Sequence, residues 1–406
     1  MKRQHVLSLS TLTAFLFLSL AAPALATWEE GVAAFQAGKY HQAVAKFRDV
    51  VNRSPESPEG YYMLGLSFLQ QRQPKEALEP LRTAVELGGQ TASYRLTLAQ
   101  AQVVARDTSS ALSTLSALDA SSLGGKELAA YHKLLARSAS ISANHAQARD
   151  LLESAVAKNP KAKELHVALA QVAEKSEQTE VAFRALDQAF LLDVSDLELG
   201  RRAVYRAFQL AKSTQGDERV AWYRRGAEVA RRIQQSAPSA ESALLLGEAE
   251  MGAKDLKAAR RWFEYAAEAE PLNPLPHFYL ARCALAEEAA EQALEFLDRA
   301  LECQPADELL VQVHAVRGLS LRHLERFEDA AGSYRLAGNS AKEAEMMGLA
   351  ETKRQNDKAR AQCVSQRKEL EDLMRESADL QGTDTWTELK ERHQAVLDGC
   401  SDFFES

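Results

Sequence analysis

Along most of the chain, small and large apolar residues recur among polar ones at helical spacing, and the pattern itself repeats. A small residue is followed by a large apolar residue four positions on, a small or branched one three further, and a proline five beyond that. Copies read Ala43, Phe47, Val50, Pro55; Ala148, Leu152, Ala155, Pro160; Ala259, Phe263, Ala266, Pro271; and Ala293, Leu297, Ala300, Pro305. Spacings of four and seven put these residues on one face of an α-helix, and the proline ends it. A Leu-Gly or Leu-Ala pair precedes each such segment: Leu64-Gly65, Leu98-Ala99, Leu135-Ala136, Leu169-Ala170, Leu246-Gly247 and Leu280-Ala281. The first small residue of the second segment falls at 43, 77, 111, 148, 182, 226, 259, 293 and 330. The pattern predicts a helix, a tight turn and a second helix in each copy. Small residues let the two helices approach, and large ones fill the space between them.

This pattern resembles the tetratricopeptide repeat, a helix-turn-helix unit with a period of about 34 residues. The resemblance covers about residues 27–338 as nine copies and implies an all-α superhelical solenoid. Two departures stand out. Three extra residues around Ser121–Gly125 predict a longer loop between the third and fourth copies. The sixth copy, about 196–238, holds about ten extra residues in its first helix and loop, with the loop marked by Thr214-Gln215-Gly216-Asp217. We read it as a lengthened repeat and a candidate joint in the array. After about Ala337 the period stops. Residues 339–406 predict a polar helical hairpin that closes the solenoid or a coiled-coil segment, with a turn at Gly382-Thr383-Asp384 and a last helix over about Thr385–Leu397.

Residues 1–26 read differently. Lys2 and Arg3 precede an apolar run from Val6 to Ala22, then Pro23 and Ala24-Leu25-Ala26. That order predicts a secretory leader cleaved after Ala26, with an uncleaved membrane anchor as the rival. Export to the periplasm or beyond is the expectation, with no stable membrane anchor after cleavage.

Composition narrows the function classes. Of 406 residues, 46% are hydrophobic and 26% charged, with 11 Pro and 19 Gly, which favours helix over a β-sandwich or barrel. Without Lys2 and Arg3 the chain carries 47 basic and 57 acidic residues, so its net charge is -10 and offers no overall field for nucleic acid. One stretch runs against that balance: Arg201, Arg202, Arg206, Lys212, Arg219, Arg224, Arg225, Arg231 and Arg232 face only Asp217, Glu218 and Glu228. It is a candidate anion-binding patch, or a solvated face in which Glu228 pairs with Arg224 and Arg232 one turn away.

No phosphate loop, dinucleotide fingerprint, zinc-protease helix, nucleophile elbow or EF-hand loop occurs, so no catalytic residue, cofactor or metal is assigned. His132, His166, His277 and His314 share one repeat position, which follows from the repeat and not from a shared site. Cys363 and Cys400 lie at matching heights on either side of the predicted hairpin turn and are a candidate disulfide. Cys283 and Cys303 sit about 12 Å apart along their helices and are expected as buried thiols.

The family resemblance implies that the first helix of each repeat lines a concave groove where partner peptides lie. Projected onto this sequence, the lining is Trp28, Val32, Phe35, Tyr62, Leu66, Leu69, Leu96 and Val103 in the first three repeats, Lys133 and Arg137 in the fourth, and Phe278, Arg282 and Leu285 in the eighth. The family's carboxylate clamp for chaperone tails needs Lys and Asn at positions held here by Trp28, Val32, Tyr62 and Leu66, so that activity is not expected. The sequence therefore predicts an exported, non-enzymatic scaffold that binds partner proteins through peptide segments. The alternative is a module for an anionic ligand or envelope polymer, using the Arg201–Arg232 patch.

Overall fold

The structure is a computed structural model that describes residues 26–89, 91–377, 379 and 381–400. The expected leader, apart from Ala26, lies outside the described residues. Apart from a 3-10 turn at Ala120–Ser122, every regular element among the described residues is an α-helix, and consecutive helices pack as pairs. The pairs are α1 (26–36) with α2 (Tyr40–Arg53), α3 (Pro58–Gln70) with α4 (Pro74–Gly88), and α5 (Ala92–Val104) with α6 (Thr108–Ser116). Next come α7 (Gly125–Ile141) with α8 (His145–Lys158), α9 (Lys163–Lys175) with α10 (Thr179–Leu192), and α11 (Leu197–Ser213) with α12 (Gly216–Ser236). A division between Ala237 and Pro238 separates these from a second unit. That unit holds α13 (Ala240–Gly252) with α14 (Leu256–Ala269), α15 (Pro274–Ala286) with α16 (Ala290–Glu302), and α17 (Asp307–His323) with α18 (Phe327–Leu336). It ends with α19 (Ser340–Glu376) and α20 (Asp384–Gly399). The fold is thus the all-α tetratricopeptide-type array of nine helix pairs that the period predicts, followed by a helical hairpin.

Close approach within each pair is a matter of one small residue facing one large one. A Cβ added at Gly65 of α3 would lie 2.5 Å from Leu81 of α4, and one at Gly247 of α13 would lie 2.5 Å from Phe263 of α14. Leu81 and Phe263 are fully buried. Both pairings span the same 16 positions, so the contact recurs with the repeat.

The turns inside the pairs are equally regular. Gly38, Arg72, Arg106, Glu177, Lys254, Glu288 and Glu325 all have a positive φ, between 54° and 73°. They occupy one position of the repeat, and only the first is glycine. The bonds around Arg72 show why: its N–H donates to Leu69 O and that of Gln73 to Phe68 O, at 2.9 and 3.0 Å. This left-handed C-terminal motif satisfies the last carbonyls of the first helix and turns the chain back.

Two expectations change, and the longer connection expected between the third and fourth copies is present. The extra residues of the sixth repeat extend both helices, to 17 residues in α11 and 21 in α12, and leave only Thr214 and Gln215 between them. The longer α12 buries Trp222, whose ring meets Phe183 of α10 edge-on at 5.5 Å between centroids. The longer connection after α6 forms the 3-10 turn at Ala120–Ser122, capped by the Asp119 carboxylate, which accepts from the Ser121 N–H. Cys303 is only half-buried at the end of α16, with Sγ 3.6 Å from Pro271 O, whereas Cys283 is fully buried.

At the C-terminal end, Met346 of α19 joins Leu321, Ala330, Ala331 and Tyr334 in one core, so α19 begins as the cover of the ninth repeat. Further along, Cys363 and Cys400 form a disulfide with Cα atoms 5.9 Å apart, which ties α19 to the end of α20.

Two substitutions in the second unit should act in opposite directions. Gly247→Ala should lower stability by about 1–3 kcal/mol, because Phe263 has no room to retreat. Glu288→Gly should raise it by about 1 kcal/mol, because glycine adopts the left-handed conformation without a Cβ clash. Urea unfolding midpoints of the two variants check both signs.

Candidate partner-binding face

The face that the sequence nominates is made by the first helices of successive repeats. In the first unit α3 packs on α5, α5 on α7 and α7 on α9. Side chains cross-link this layer. Tyr62 of α3 and Tyr94 of α5 lie 4.7 Å apart between ring centroids, with Tyr62 Oη 3.4 Å from Thr97 Oγ1. Ser140 Oγ of α7 donates to Gln171 Oε1 of α9 at 2.7 Å, and Lys175 of α9 donates to the Ser140 carbonyl. Glu174 of α9 accepts from Arg202 and Arg206 of α11, at 2.6 and 3.2 Å.

The predicted lining divides by burial. Trp28, Val32, Phe35, Tyr62 and Leu69 are half-buried and pack against the core built on Phe47, Leu64, Phe68 and Leu81. Trp28 meets Phe47 edge-on at 5.5 Å, so its ring belongs mainly to the core of the first repeat. Leu66 is half-buried as well. Leu96, Val103 and Phe278 are only 7%, 3% and 4% exposed. They fill contacts between helices and cannot line an accessible face, which corrects the prediction for those three. Lys133, Arg137 and Arg282 are exposed, and Leu285 is half-buried beside the core of the eighth repeat. In the second unit the Arg282 guanidinium lies over the rings of Phe278 and Tyr279, at 5.8 and 5.5 Å. Phe278 thus supports a groove cation instead of contacting a ligand.

The basic stretch is not one patch. Arg201, Arg202 and Arg206 belong to α11, in the first-helix layer, whereas Arg224, Arg225, Arg231 and Arg232 belong to the second helix α12. Arg202 and Arg206 share Glu174, and Arg232 pairs with Asp187 of α10 and not with Glu228. Burial holds the Asp187 carboxyl above its usual range despite that pairing. The Arg225 guanidinium lies 4.4 Å from the Trp222 ring centroid, and Arg201 and Arg231 have partners of their own. Sequence counting could not foresee this, because the partner acids lie 28 to 45 residues away.

Counting also missed two residues of the face. Tyr205 is 57% exposed on α11, and Ile141 is 52% exposed at the end of α7. Tyr205 stands one period after Gln171 and two after Arg137. Register taken backwards from Gly226, across the lengthened repeat, misplaces it.

Two of the four repeat histidines, His166 and His277, have a structural role. His166 Nε2 is 2.8 Å from the Pro160 carbonyl, and His277 hydrogen-bonds to Pro271 in the same way, six residues back. Each ring fastens the start of a first helix to the preceding turn, and burial lowers the His277 pKa.

Comparison with known proteins finds the same repeat in the sequence. Models of the tetratricopeptide repeat match residues 28–93 and 231–316. No curated protein matches the sequence. Among solved structures, the chain is similar to the tetratricopeptide-repeat domain of P58(IPK), at 17% identity over 75% of this chain and 99% of that one, with a TM-score of 0.26. It is similar to a tetratricopeptide repeat protein from Parabacteroides merdae, at 13% identity over 72% and 98%, with a TM-score of 0.34. It is also similar to yeast Tom70, at 16% identity over 94% and 97%, with a TM-score of 0.33. The tetratricopeptide repeats support a helical-repeat scaffold for protein–protein contact. The chain belongs to the tetratricopeptide-repeat family, whose members are generally non-catalytic scaffolds.

Burial also sets the thiol chemistry. It pushes the Cys283 thiol up to about 11, so almost no thiolate exists at neutral pH. In the folded, oxidised protein at pH 8, one thiol, Cys303, should react with a thiol-specific disulfide reagent, and a second, Cys283, only after denaturation. Fast release of two equivalents from the folded protein contradicts this reading.

Proposed function

We propose that the chain is exported and that it holds partner proteins by peptide segments laid along its first-helix layer. The carrying observation is the run of half-buried apolar side chains, Val32, Phe35, Leu66 and Leu69, on α1 and α3 beside the cross-linked layer. A half-buried apolar side chain still has surface to remove from water, and α1 and α3 offer four such side chains on neighbouring first helices. An amphipathic or extended apolar segment fits that surface. Export is supported by the leader-like composition of residues 1–26 and by the Cys363–Cys400 disulfide, which is suited to an oxidising compartment. No helix among the described residues is long and apolar enough to cross a membrane. The role would be to bring partners together in the cell envelope.

The test places a photo-crosslinking amino acid at Leu66 of α3, at Arg137 of α7 and, as a second-helix control, at Arg82 of α4. Crosslinks to a partner polypeptide from the first two positions and not from Arg82 are expected. Leu66→Asp should reduce capture about tenfold or more, with the helical circular dichroism unchanged. Crosslinks from Arg82 alone would remove the groove from the account. For export, mass spectrometry should find the mature N-terminus at Thr27, and a chain that retains Met1 would contradict it.

A further inference from the structure

The first-helix layer changes character along the first unit. Helices α1, α3 and α5 carry one basic residue, Arg95, and three acidic ones, Glu29, Glu30 and Glu59. Helices α7, α9 and α11 carry nine basic residues and four acidic ones, in a chain that is acidic overall. Four of these cations are exposed on α7 and α9: Lys126 at the start of α7, and Lys133, Arg137 and Lys175 further along. The Ser140–Gln171 hydrogen bond joins the two helices one turn beyond Arg137 and one turn before Lys175, so the last three share a face. Neither Lys133 nor Arg137 forms an ion pair among the described residues. The exposed Ile141 lies on α7 with Lys133 and Arg137, and the exposed Tyr205 lies on α11.

We infer that the first helices of the fourth to sixth repeats dock an acidic peptide segment of a partner protein in which carboxylates alternate with apolar side chains. The inference rests on the reading that partner segments lie along the first-helix layer, and it supplies their chemistry. Charge complementarity favours an anionic ligand, since Lys133, Arg137 and Lys175 stand without neutralising neighbours at bonding distance. The same face argues against a uniform polyanion. Glu164 and Glu198 stand exposed at the starts of α9 and α11, and Glu174 already engages Arg202 and Arg206. A phosphate polymer would meet those acids with charge at every step, whereas a peptide can set an apolar residue against them. Ile141 and Tyr205 give such residues something to bury against.

The test is fluorescence anisotropy on the full mature chain with its disulfide intact. The probe is a short labelled peptide alternating Asp and Glu with Phe and Leu. The comparison ligands are the same peptide with Lys in place of each acid, and inorganic polyphosphate as the uniform polyanion. The acidic peptide should bind, weaken as salt rises, and lose about tenfold or more in affinity to a Lys133→Glu/Arg137→Glu variant of unchanged helicity. The lysine peptide should not bind. Three results overturn the inference: equal binding to the variant, tighter binding of polyphosphate than of the peptide, or light scattering that shows a self-associated chain dispersed by the variant, which would make a second copy the occupant. Crosslinking from Leu66 distinguishes the two levels, because it persists if only the acidic chemistry is wrong and disappears if the groove itself is wrong.

Discussion

Everything in this molecule depends on one contact, a small residue on the first helix of a repeat against a large apolar residue on the second. Gly65 against Leu81 and Gly247 against Phe263 show how little space separates the backbones. That contact fixes how closely and at what height the two helices of a pair meet. Left-handed residues such as Arg72 and Glu288 then return the chain at a constant position. With the second helices occupied in this way, the first helices of neighbouring repeats are left to meet one another. The accessible face is therefore a consequence of packing inside each pair, and the side chains that cross-link it set its local chemistry.

Those cross-links are of three kinds. Aromatic contact joins α3 and α5 through Tyr62 and Tyr94, neutral hydrogen bonding joins α7 and α9 through Ser140 and Gln171, and ion pairs join α9 and α11 through Glu174. The order runs from apolar to ionic along one layer. A partner segment lying across it would meet the same change, which would give the proposed binding a direction.

Much of this was legible in the sequence because the contacts that hold a pair are local and periodic. Ala43, Phe47 and their counterparts recur at fixed spacing, and the helix boundaries follow from them. The long-range part was not legible. Leu96, Val103 and Phe278 occupy groove positions by counting, yet neighbouring helices bury them. Arg202, Arg206 and Arg232 looked like a shared patch, yet each finds an acid on another repeat. Tyr205 was hidden by register, since the extra residues of the sixth repeat extend α11 and α12 instead of forming a loop. The pairing of Cys363 with Cys400 could be read as a candidate because a hairpin turn fixes which positions face each other.

The central claim is that partners lie along the first helices and not over the second ones. Hydrogen–deuterium exchange on the full chain, with and without a crosslink-identified partner peptide, measures this most directly. The account predicts that added protection falls on α1, α3, α5, α7 and α9, with α2, α4, α6 and α8 unchanged. Protection confined to the second helices, or spread evenly over both members of each pair, would contradict it.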